Sequence, residues 1–255
     1  TTIPTVAIIK HANPCGVASG SSLHDAYARA LSCDTTSAFG GIVALNQTID
    51  RKTASEIIKI FTEVIIAPEI SDEAKEIFKT KNNLRILILT SLHEKNNSQN
   101  FKSIEGGILV QSNDDENTNK SDLKVVTEKK PSDSEIEDML FAFKVCKHVK
   151  SNAIIYVKNK KTIGIGAGQM SRVDSAKIAS QKNSEMEKSE ENSLENSVVA
   201  SDAFFPFADG IKTLINAGVK IIVQPGGSIR DKESILVADK AKVKMVFTGT
   251  RHFNH

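Results

Sequence analysis

Short apolar runs alternate with amphipathic segments along the first third of the chain. Runs at 6–9, 40–45, 64–67 and 84–89 predict β-strands. Segments with helical spacing at 23–31, 53–61 and 71–78 lie between these runs, and acidic residues in the first turn of the last segment favour its helix dipole. Strands that alternate with helices across short connections are typical of an α/β fold.

The same alternation returns in the second half of the chain. The pattern predicts helices at 133–148, 211–217 and 232–240, and strands at 153–157, 162–167, 220–223 and 244–247. Two polar tracts interrupt it: residues 94–100 with 113–121, and residues 181–197. Because these tracts have too few apolar residues to offset the entropy of ordering, we expect both to be exposed or mobile and to contribute little to the core.

Composition excludes several classes of protein. The 255 residues are 40% hydrophobic and 25% charged, with a net charge of +2, so we expect no binding to nucleic acid or membranes. No apolar run is long enough to span a bilayer. Three widely spaced cysteines suggest neither disulfides nor a zinc cluster, which is typical of the cytoplasm. The chain starts at Thr1 and enters a strand almost at once, so we expect it to be part of a longer protein.

A lysine and a histidine follow the first predicted strand. Lys10 and His11 precede a turn-forming stretch at 10–16, at a strand end where α/β sheets tend to bind ligands. Lysine can stabilise an oxyanion, and histidine exchanges a proton near neutral pH. Since neighbouring strand residues face opposite sides, both side chains can serve one site only if the turn has begun. Taken alone, the motif favours a solvated pair without chemistry over a catalytic pair.

Two further motifs are candidates for ligand binding. Glycines alternate at 164, 166 and 168 before Arg172, which suits a close approach of the backbone to a ligand; the spacing is not that of a dinucleotide-binding loop. Three phenylalanines surround a proline at 201–210, between two aspartates. This segment is either a hydrophobic plug before a helix or an apolar slot for a flat heteroaromatic ligand.

A zinc site is not expected. Pro14 and Cys15 are similar to the start of the zinc-deaminase signature, but Ala18 stands where the second cysteine would be, and no His-x-Glu precedes them. We expect Cys15 to be a small packing residue.

Taken together, these motifs resemble the transformylase half of the bifunctional enzymes that combine phosphoribosylaminoimidazolecarboxamide formyltransferase with inosine monophosphate cyclohydrolase. The segments that carry the resemblance are Ile9-Lys10-His11-Ala12-Asn13-Pro14-Cys15-Gly16-Val17-Ala18, Ser37-Ala38-Phe39-Gly40-Gly41, Glu63-Val64-Ile65-Ile66-Ala67-Pro68, Lys150-Ser151-Asn152-Ala153, 164–172, 201–210 and Thr250-Arg251-His252-Phe253-Asn254-His255. They cover almost the whole chain except the two polar tracts. The family's cyclohydrolase half, and an Arg-Tyr-Gly segment near the start of its transformylase domain, have no counterpart here.

The resemblance implies a fold, a reaction and a set of site residues. The expected fold is a pair of zinc-free, cytidine-deaminase-like α/β/α subdomains at 1–124 and 125–255. The protein is expected to be a cytoplasmic homodimer that acts on small molecules, with its sites at the interface of the two copies. The expected reaction transfers a formyl group from 10-formyltetrahydrofolate to the 5-amino group of 5-aminoimidazole-4-carboxamide ribonucleotide. The residues that match the family are the catalytic Lys10 and His11; the nucleotide-binding Phe39, Gly40, Glu63, Asn152, Arg172, Arg251 and Phe253; and the folate-binding Phe204, Pro206, Phe207 and Asp209.

Two other classes of function compete with this one. A non-catalytic nucleotide-binding fragment would keep the fold without a complete site. An unrelated zinc deaminase would need the metal ligands that the sequence lacks.

Overall fold

A computed structural model describes residues 3–90, 99–186 and 188–255. The strands are β1 (Thr5–Lys10), β2 (Asn13–Ser19), β3 (Gly41–Leu45), β4 (Thr62–Ala67), β5 (Arg85–Ile88), β6 (Gln99–Ile104), β7 (Gly107–Ser112), β8 (Lys124–Val125), β9 (Ile154–Lys158), β10 (Lys161–Gly166), β11 (Val198–Ser201), β12 (Ile221–Gln224) and β13 (Lys244–Phe247). The helices are α1 (Leu23–Leu31), α2 (Thr35–Ala38), α3 (Arg51–Ile57), α4 (Asp72–Phe78), α5 (Asp133–Cys146), α6 (Arg172–Glu185), α7 (Ala208–Asn216) and α8 (Asp231–Lys240). The expected α/β fold is confirmed.

One mixed sheet organises the described residues. Eleven strands form it in the order β5-β4-β3-β1-β2-β10-β9-β11-β12-β13-β8, and β6 pairs with β7 in a separate hairpin. Strands β3 to β5 are parallel to one another, as are β11 to β13, whereas β1, β2, β10 and β9 in the middle are antiparallel to their neighbours. The sheet therefore runs without a break from the first half of the chain into the second.

The stretch at 10–16 contains more regular structure than the sequence indicated. Only His11 and Ala12 form the turn, and the chain continues at once into β2, which the sequence analysis took for part of the turn. The register of β1 and β2 shifts between Ile8 and Ile9, so that Ile8 lies opposite Gly16 and Ile9 opposite Pro14. A bulge of this kind accommodates a proline, which has no N–H to donate. Pro14 and Gly16, which usually indicate a turn, therefore lie in strand β2.

Apolar side chains are buried on both faces of the second half of the sheet. Ile155 and Val157 of β9 pack with α5 on one face. Ile154 and Tyr156 pack on the other face, in the cluster that holds residues of α6, α7 and α8. This alternation follows from the two-residue period of a strand, and it explains why β9 is apolar at successive positions. In the first half, α1, α3 and α4 share a cluster with β1, β3 and β4.

The structure describes the boundary between the two expected halves and most of the second polar tract. Strand β8 spans the boundary expected at 124/125 and pairs with β13, and the division itself stays a prediction. The tract at 181–197 begins inside α6. Asn183 Nδ2 donates to the carbonyl oxygen of Ile163 (2.9 Å), and Lys158 Nζ of β9 donates to that of Glu190 (2.7 Å). Contacts to the body of the fold are thus more extensive than expected, while mobility stays a prediction. Residues 94–98 and 187 lie outside the described residues.

Two of the alternating glycines serve helix packing, which corrects the expectation that their backbone approaches a ligand. A Cβ added at Gly164 would lie 2.4 Å from the carbonyl oxygen of Ala179, and one at Gly166 would lie 1.9 Å from that of Ser175. Both carbonyls belong to α6, which the sequence analysis did not predict. Gly168 instead has a φ of +67°, which favours glycine.

Among the described residues, no helix is long and apolar enough to cross a membrane.

We expect Gly166→Ala to destabilise the fold by about 1–3 kcal/mol, because the added methyl group must push α6 away from β10. Urea unfolding followed by circular dichroism measures the change. Gly107→Ala is the matched control, since the nearest atom to its Cβ is 3.9 Å away. A midpoint for Gly166→Ala equal to that of Gly107→Ala would contradict this account of the packing.

Candidate active site at one edge of the sheet

The strand registers bring one end of ten strands to a common edge of the sheet. The carboxyl end of β1 lies beside the amino ends of β2 and β3, and the amino ends of β4 and β5 continue the row. In the second half, the row contains the carboxyl ends of β10 to β13 and the amino end of β9. We call this row the site edge. Every residue expected to form the site lies on the site edge or on a segment that leaves it.

Lys10 and His11 lie where β1 leaves the sheet. Lys10 is the last residue of β1, and its Nζ donates to the carbonyl oxygens of Phe39 (2.8 Å) and Gly40 (3.1 Å). His11 is exposed and has a φ of +53°, so the turn begins at this residue. The condition for both side chains to serve one site, that the strand has ended at the histidine, is therefore met.

Gly40 holds a tight contact between this turn and the start of β3. Its φ is +67°, and its N–H donates to the carbonyl oxygen of Phe61 at 2.7 Å. A Cβ at this position would lie 3.0 Å from Lys10 Nζ. Any side chain here would both strain the backbone and displace the ammonium group.

Phe39 and Glu63 complete the first part of the site edge. Phe39 is 61% exposed and packs its ring against that of Phe61, with 5.4 Å between the centroids. Glu63 is exposed at the start of β4, where the register with β3 shifts by one residue. Phe61 was not anticipated, and its place before a predicted strand gave no signal beyond its aromatic character.

A buried carboxylate organises the second part of the site edge. Asp202 is fully buried just after β11, where it accepts a hydrogen bond from Ser151 Oγ (2.6 Å) and pairs with Arg172 Nη2 (3.0 Å). Arg172 also donates from Nε to Ser201 Oγ at 3.2 Å. Arg172, expected to contact a ligand, therefore directs at least two of its donors toward the protein. No local sequence pattern around Asp202 indicates this role, because Ser151 and Arg172 are distant along the chain.

Asn152 is held by the loop that follows β10. Its side-chain amide donates to the carbonyl oxygen of Gln169 (2.7 Å), and its own carbonyl accepts from Ser175 Oγ (2.7 Å). Nearby, the main-chain N–H of Lys150 donates to Asn13 Oδ1 at 2.8 Å, which ties the segment before β9 to the start of β2. The amide of Asn152 thus lies on the same edge as Lys10, on the far side of β2.

The C-terminal segment adds two exposed side chains. Arg251 and Phe253 are both exposed, and the guanidinium carbon of Arg251 lies 5.7 Å from the centroid of the Phe253 ring. His252 between them is buried. The main-chain N–H of Asn254 donates to Ser151 Oγ at 3.1 Å, which fixes the segment beside Asp202.

The phenylalanine segment between β11 and α7 divides its side chains between core and surface. Phe205 is buried in the core, and a Cβ added at Gly210 would lie 2.3 Å from its ring. Phe204 is half-buried, whereas Pro206, Phe207 and Asp209 are exposed. The guanidinium carbon of Arg230 lies 5.1 Å from the centroid of the Phe207 ring, a cation–π contact that the sequence did not indicate. The segment thus combines a core plug with an exposed apolar surface.

A cavity of about 310 Å³ lies between Lys10 and α6. Cys15 lines it, and burial raises the pKa of this thiol to about 11, as suits a packing residue rather than a nucleophile. Asp34, the N-cap of α2, and Lys182 of α6 also line the cavity and form an ion pair. Burial raises the pKa of Asp34, but hydrogen bonds from Lys182 and Ser37 outweigh it and lower that pKa below its ordinary value. The ion pair was not predicted, since its partners are far apart in sequence.

The two groups of expected catalytic and folate-binding residues lie apart on the site edge. Four strand spacings separate β1 from β11, which amounts to about 19 Å at 4.7–4.9 Å per strand. The strands that lead to His11 and to the segment at 204–209 are therefore well separated along the site edge of one chain. Within the described ranges, no three His, Cys, Asp or Glu side chains are grouped as metal ligands would be.

We expect Asp34→Asn to weaken the fold at pH 7 by about 0.5–1 kcal/mol, because asparagine keeps the helix cap but loses the ion pair with Lys182. The folded-state pKa of Asp34 is depressed, so its contribution is present above the unfolded-state pKa of about 3.9 and is lost as the pH falls through the folded-state value. The difference in urea midpoint from wild type should be constant from pH 7 to 5 and shrink below about pH 4.

The matched control for this prediction is Asp50→Asn at the N-cap of α3, where the carboxylate accepts from Thr53 N at 2.7 Å. Its loss at pH 7 should be smaller than that of Asp34→Asn. A loss for Asp34→Asn that grows as the pH falls would contradict the account.

Comparison with known proteins places the chain in a family. The profile of the AICARFT/IMPCHase bienzyme family matches residues 1–182. Proteins named bifunctional purine biosynthesis protein PurH are 56% identical in Parvibaculum lavamentivorans, 57% in Sinorhizobium medicae and 57% in Rhodospirillum rubrum, over 99% of this chain. The matched region is 48–49% of each relative, so the chain spans about half their length. On these similarities, the chain belongs to the AICARFT/IMPCHase bienzyme family.

Proposed function

We propose that this chain carries out the formyl transfer of purine biosynthesis, from 10-formyltetrahydrofolate to the 5-amino group of 5-aminoimidazole-4-carboxamide ribonucleotide. The observation that carries the proposal is the site edge, which collects the residues that match the family's catalytic, nucleotide-binding and folate-binding positions. Membership of the AICARFT/IMPCHase bienzyme family supports the same reaction class.

His11 is the proposed general base. The substrate amine is conjugated with a ring that carries a carboxamide, so it is a weak nucleophile that gains from losing a proton as it attacks the formyl carbon. His11 is exposed at the turn, where neutral imidazole can accept that proton. The new C–N bond forms as the proton moves to His11, and the bond from the formyl carbon to the folate nitrogen then breaks. The departing nitrogen takes up a proton, from His11 or through water.

Lys10 is the proposed stabiliser of the oxyanion that forms on the formyl oxygen. Its recorded hydrogen-bond acceptors are two main-chain carbonyl oxygens, which orient the ammonium group without neutralising its charge. A positioned charge of this kind stabilises a tetrahedral intermediate and needs little rearrangement during the reaction. The proposed site is free of zinc, since the sequence lacks the second cysteine and the His-x-Glu of the zinc-deaminase signature.

The remaining residues are proposed to hold the two substrates. The exposed Arg251 and Phe253 suit a phosphate and a flat ring respectively, and the residues Phe39, Gly40, Glu63, Asn152 and Arg172 complete the nucleotide site. Phe204, Pro206 and Phe207 form an apolar surface beside the Asp209 carboxylate, which can accept hydrogen bonds from the nitrogens of a folate ring.

We propose further that the active site is shared by two copies of the chain in a cytoplasmic homodimer. Reacting atoms must approach to about 3–3.5 Å, and the strands that lead to His11 and to the folate-binding segment are about 19 Å apart in one chain, at 4.7–4.9 Å per strand. A symmetric dimer resolves this separation by placing the folate segment of one copy opposite Lys10 and His11 of the other. Each half would be a cytidine-deaminase-like α/β/α subdomain, which the helices on both faces of the second half support.

We expect His11→Ala to lower the turnover number for formyl transfer by about 10²–10⁴-fold, the usual effect of losing a general base, with little change in affinity for the ribonucleotide. Initial rates in the complete protein and titration calorimetry measure the two quantities. His24→Ala is the control, because His24 lies on α1, which follows the opposite end of β2. An unchanged turnover number for His11→Ala would refute the assignment.

A further inference from the structure

A buried histidine lies between the two exposed residues of the C-terminal segment. His252 is 2% exposed, its ring packs against Phe143 with 4.9 Å between centroids, and its Nδ1 lies 2.5 Å from Asp114 Oδ2. Its main-chain N–H donates to the carbonyl oxygen of Asp202 at 3.0 Å. Of the residues from 251 to 255, His252 is the one whose side chain is fully enclosed.

This enclosure fixes the direction of its neighbours. His252 is buried between two exposed neighbours, so a histidine held inward leaves both Arg251 and Phe253 at the surface. Both are exposed, and Phe253 lines a cleft of about 520 Å³ beside the β6–β7 hairpin. Asp114, which contacts the His252 ring, therefore contributes to the placement of Arg251 and Phe253, the two proposed nucleotide-binding side chains.

Asp114 is itself attached to a rigid part of the fold. It lies two residues after the end of β7, and its Oδ1 lies 3.8 Å from Nζ of Lys147, the C-cap residue of α5. Lys147 also donates to the carbonyl oxygen of Glu116 at 2.8 Å. The segment around Asp114 is thus held against α5, and Asp114 connects this support to the C-terminal segment through His252.

We propose that Asp114 and His252 are positioning residues for nucleotide binding. Neither residue touches the substrate in this proposal. Together they hold the C-terminal segment at 251–253 so that Arg251 and Phe253 contact the ribonucleotide. The inference rests on the function proposed above for its catalytic consequences. Its structural part, that the pair fixes the C-terminal segment, stands independently of that function.

The test compares Asp114→Ala and His252→Ala with conservative variants in the complete protein. We expect either alanine variant to raise the KM for the ribonucleotide about tenfold, with kcat and the KM for the folate changed less than about twofold. The reason is that each variant loses the positioning of Arg251 and Phe253 but keeps every reacting group. Asp114→Asn and His252→Asn should restore much of the affinity, since each keeps a polar atom near the original hydrogen bond. The double alanine variant should be no worse than either single one, as for two residues that act through one contact.

Hydrogen exchange supplies the readout that does not depend on activity. The amides of His252 and Asn254 should exchange about tenfold faster in Asp114→Ala than in wild type, as expected for a segment that opens more often. Asp115→Ala, which removes the neighbouring charge, is the matched control and should leave both amides and the KM values unchanged.

Unchanged exchange in Asp114→Ala, or equal losses for both substrates, would overturn the proposal. A wild-type protein that forms no product would contradict the proposed function instead, and the exchange rates would still decide whether the pair fixes the segment.

Discussion

Strands β2 and β10 come from distant parts of the sequence and pair in the middle of the sheet. Their pairing aligns the strands of the first half of the chain with those of the second half. Thr162 Oγ1 accepts from the N–H of Val17 at 2.9 Å and donates to the carbonyl oxygen of Val17 at 3.2 Å. The N–H of Ser19 donates to the carbonyl oxygen of Lys160 at 2.9 Å. Because a sheet transmits the register of each strand to the next, this junction determines that Lys10 and the segments after β10 and β11 share one edge. A one-residue slip here would exchange the two faces of one half of the sheet relative to the other half.

Hydrogen bonds and an ion pair to the buried Asp202 carboxylate also stabilise the site edge. Asp202 is inaccessible to water, so its charge depends on Arg172 and Ser151 for compensation. Removing one member of a buried pair typically costs about 3–5 kcal/mol because the other charge remains unpaired. Ser151 additionally connects Asp202 with the C-terminal segment through the N–H of Asn254. Binding residues that are far apart in sequence are thus fixed by a small number of shared anchors, and this rigidity suits a site that must orient two substrates.

The parts of the structure that the sequence predicted well are those with strong local periodicity. Helix α1 and strand β13 have the predicted bounds, because amphipathic spacing or an apolar run dominates each segment. Strand β2 was missed because proline and glycine normally interrupt strands, and the bulge that accommodates Pro14 depends on the partner strand. Helix α6 was missed because its polar sequence has no clear apolar stripe, and its position depends on the absence of a side chain at Gly166.

Candidate site residues were proposed from the resemblance, and the sequence alone could not predict their surroundings. The ion pairs of Asp34 with Lys182 and of Arg172 with Asp202 join residues that are distant along the chain, so no local pattern indicates them. The separation of His11 from the folate-binding segment follows from strand order, which periodicity does not determine. The resemblance already implied a site at the interface of two copies, and the strand order adds the separation that supports this proposal.

Complementation between two inactive chains tests the shared site most directly. His11→Ala impairs the base, and Asp209→Ala impairs the folate-binding segment, so each homodimer should have little activity alone. If each site takes one group from each copy, random mixing should restore about a quarter of wild-type turnover, because half of the dimers are mixed and each has one intact site. A mixture no more active than the two separate variants would contradict the account, since it would place both groups of residues in the site of a single chain.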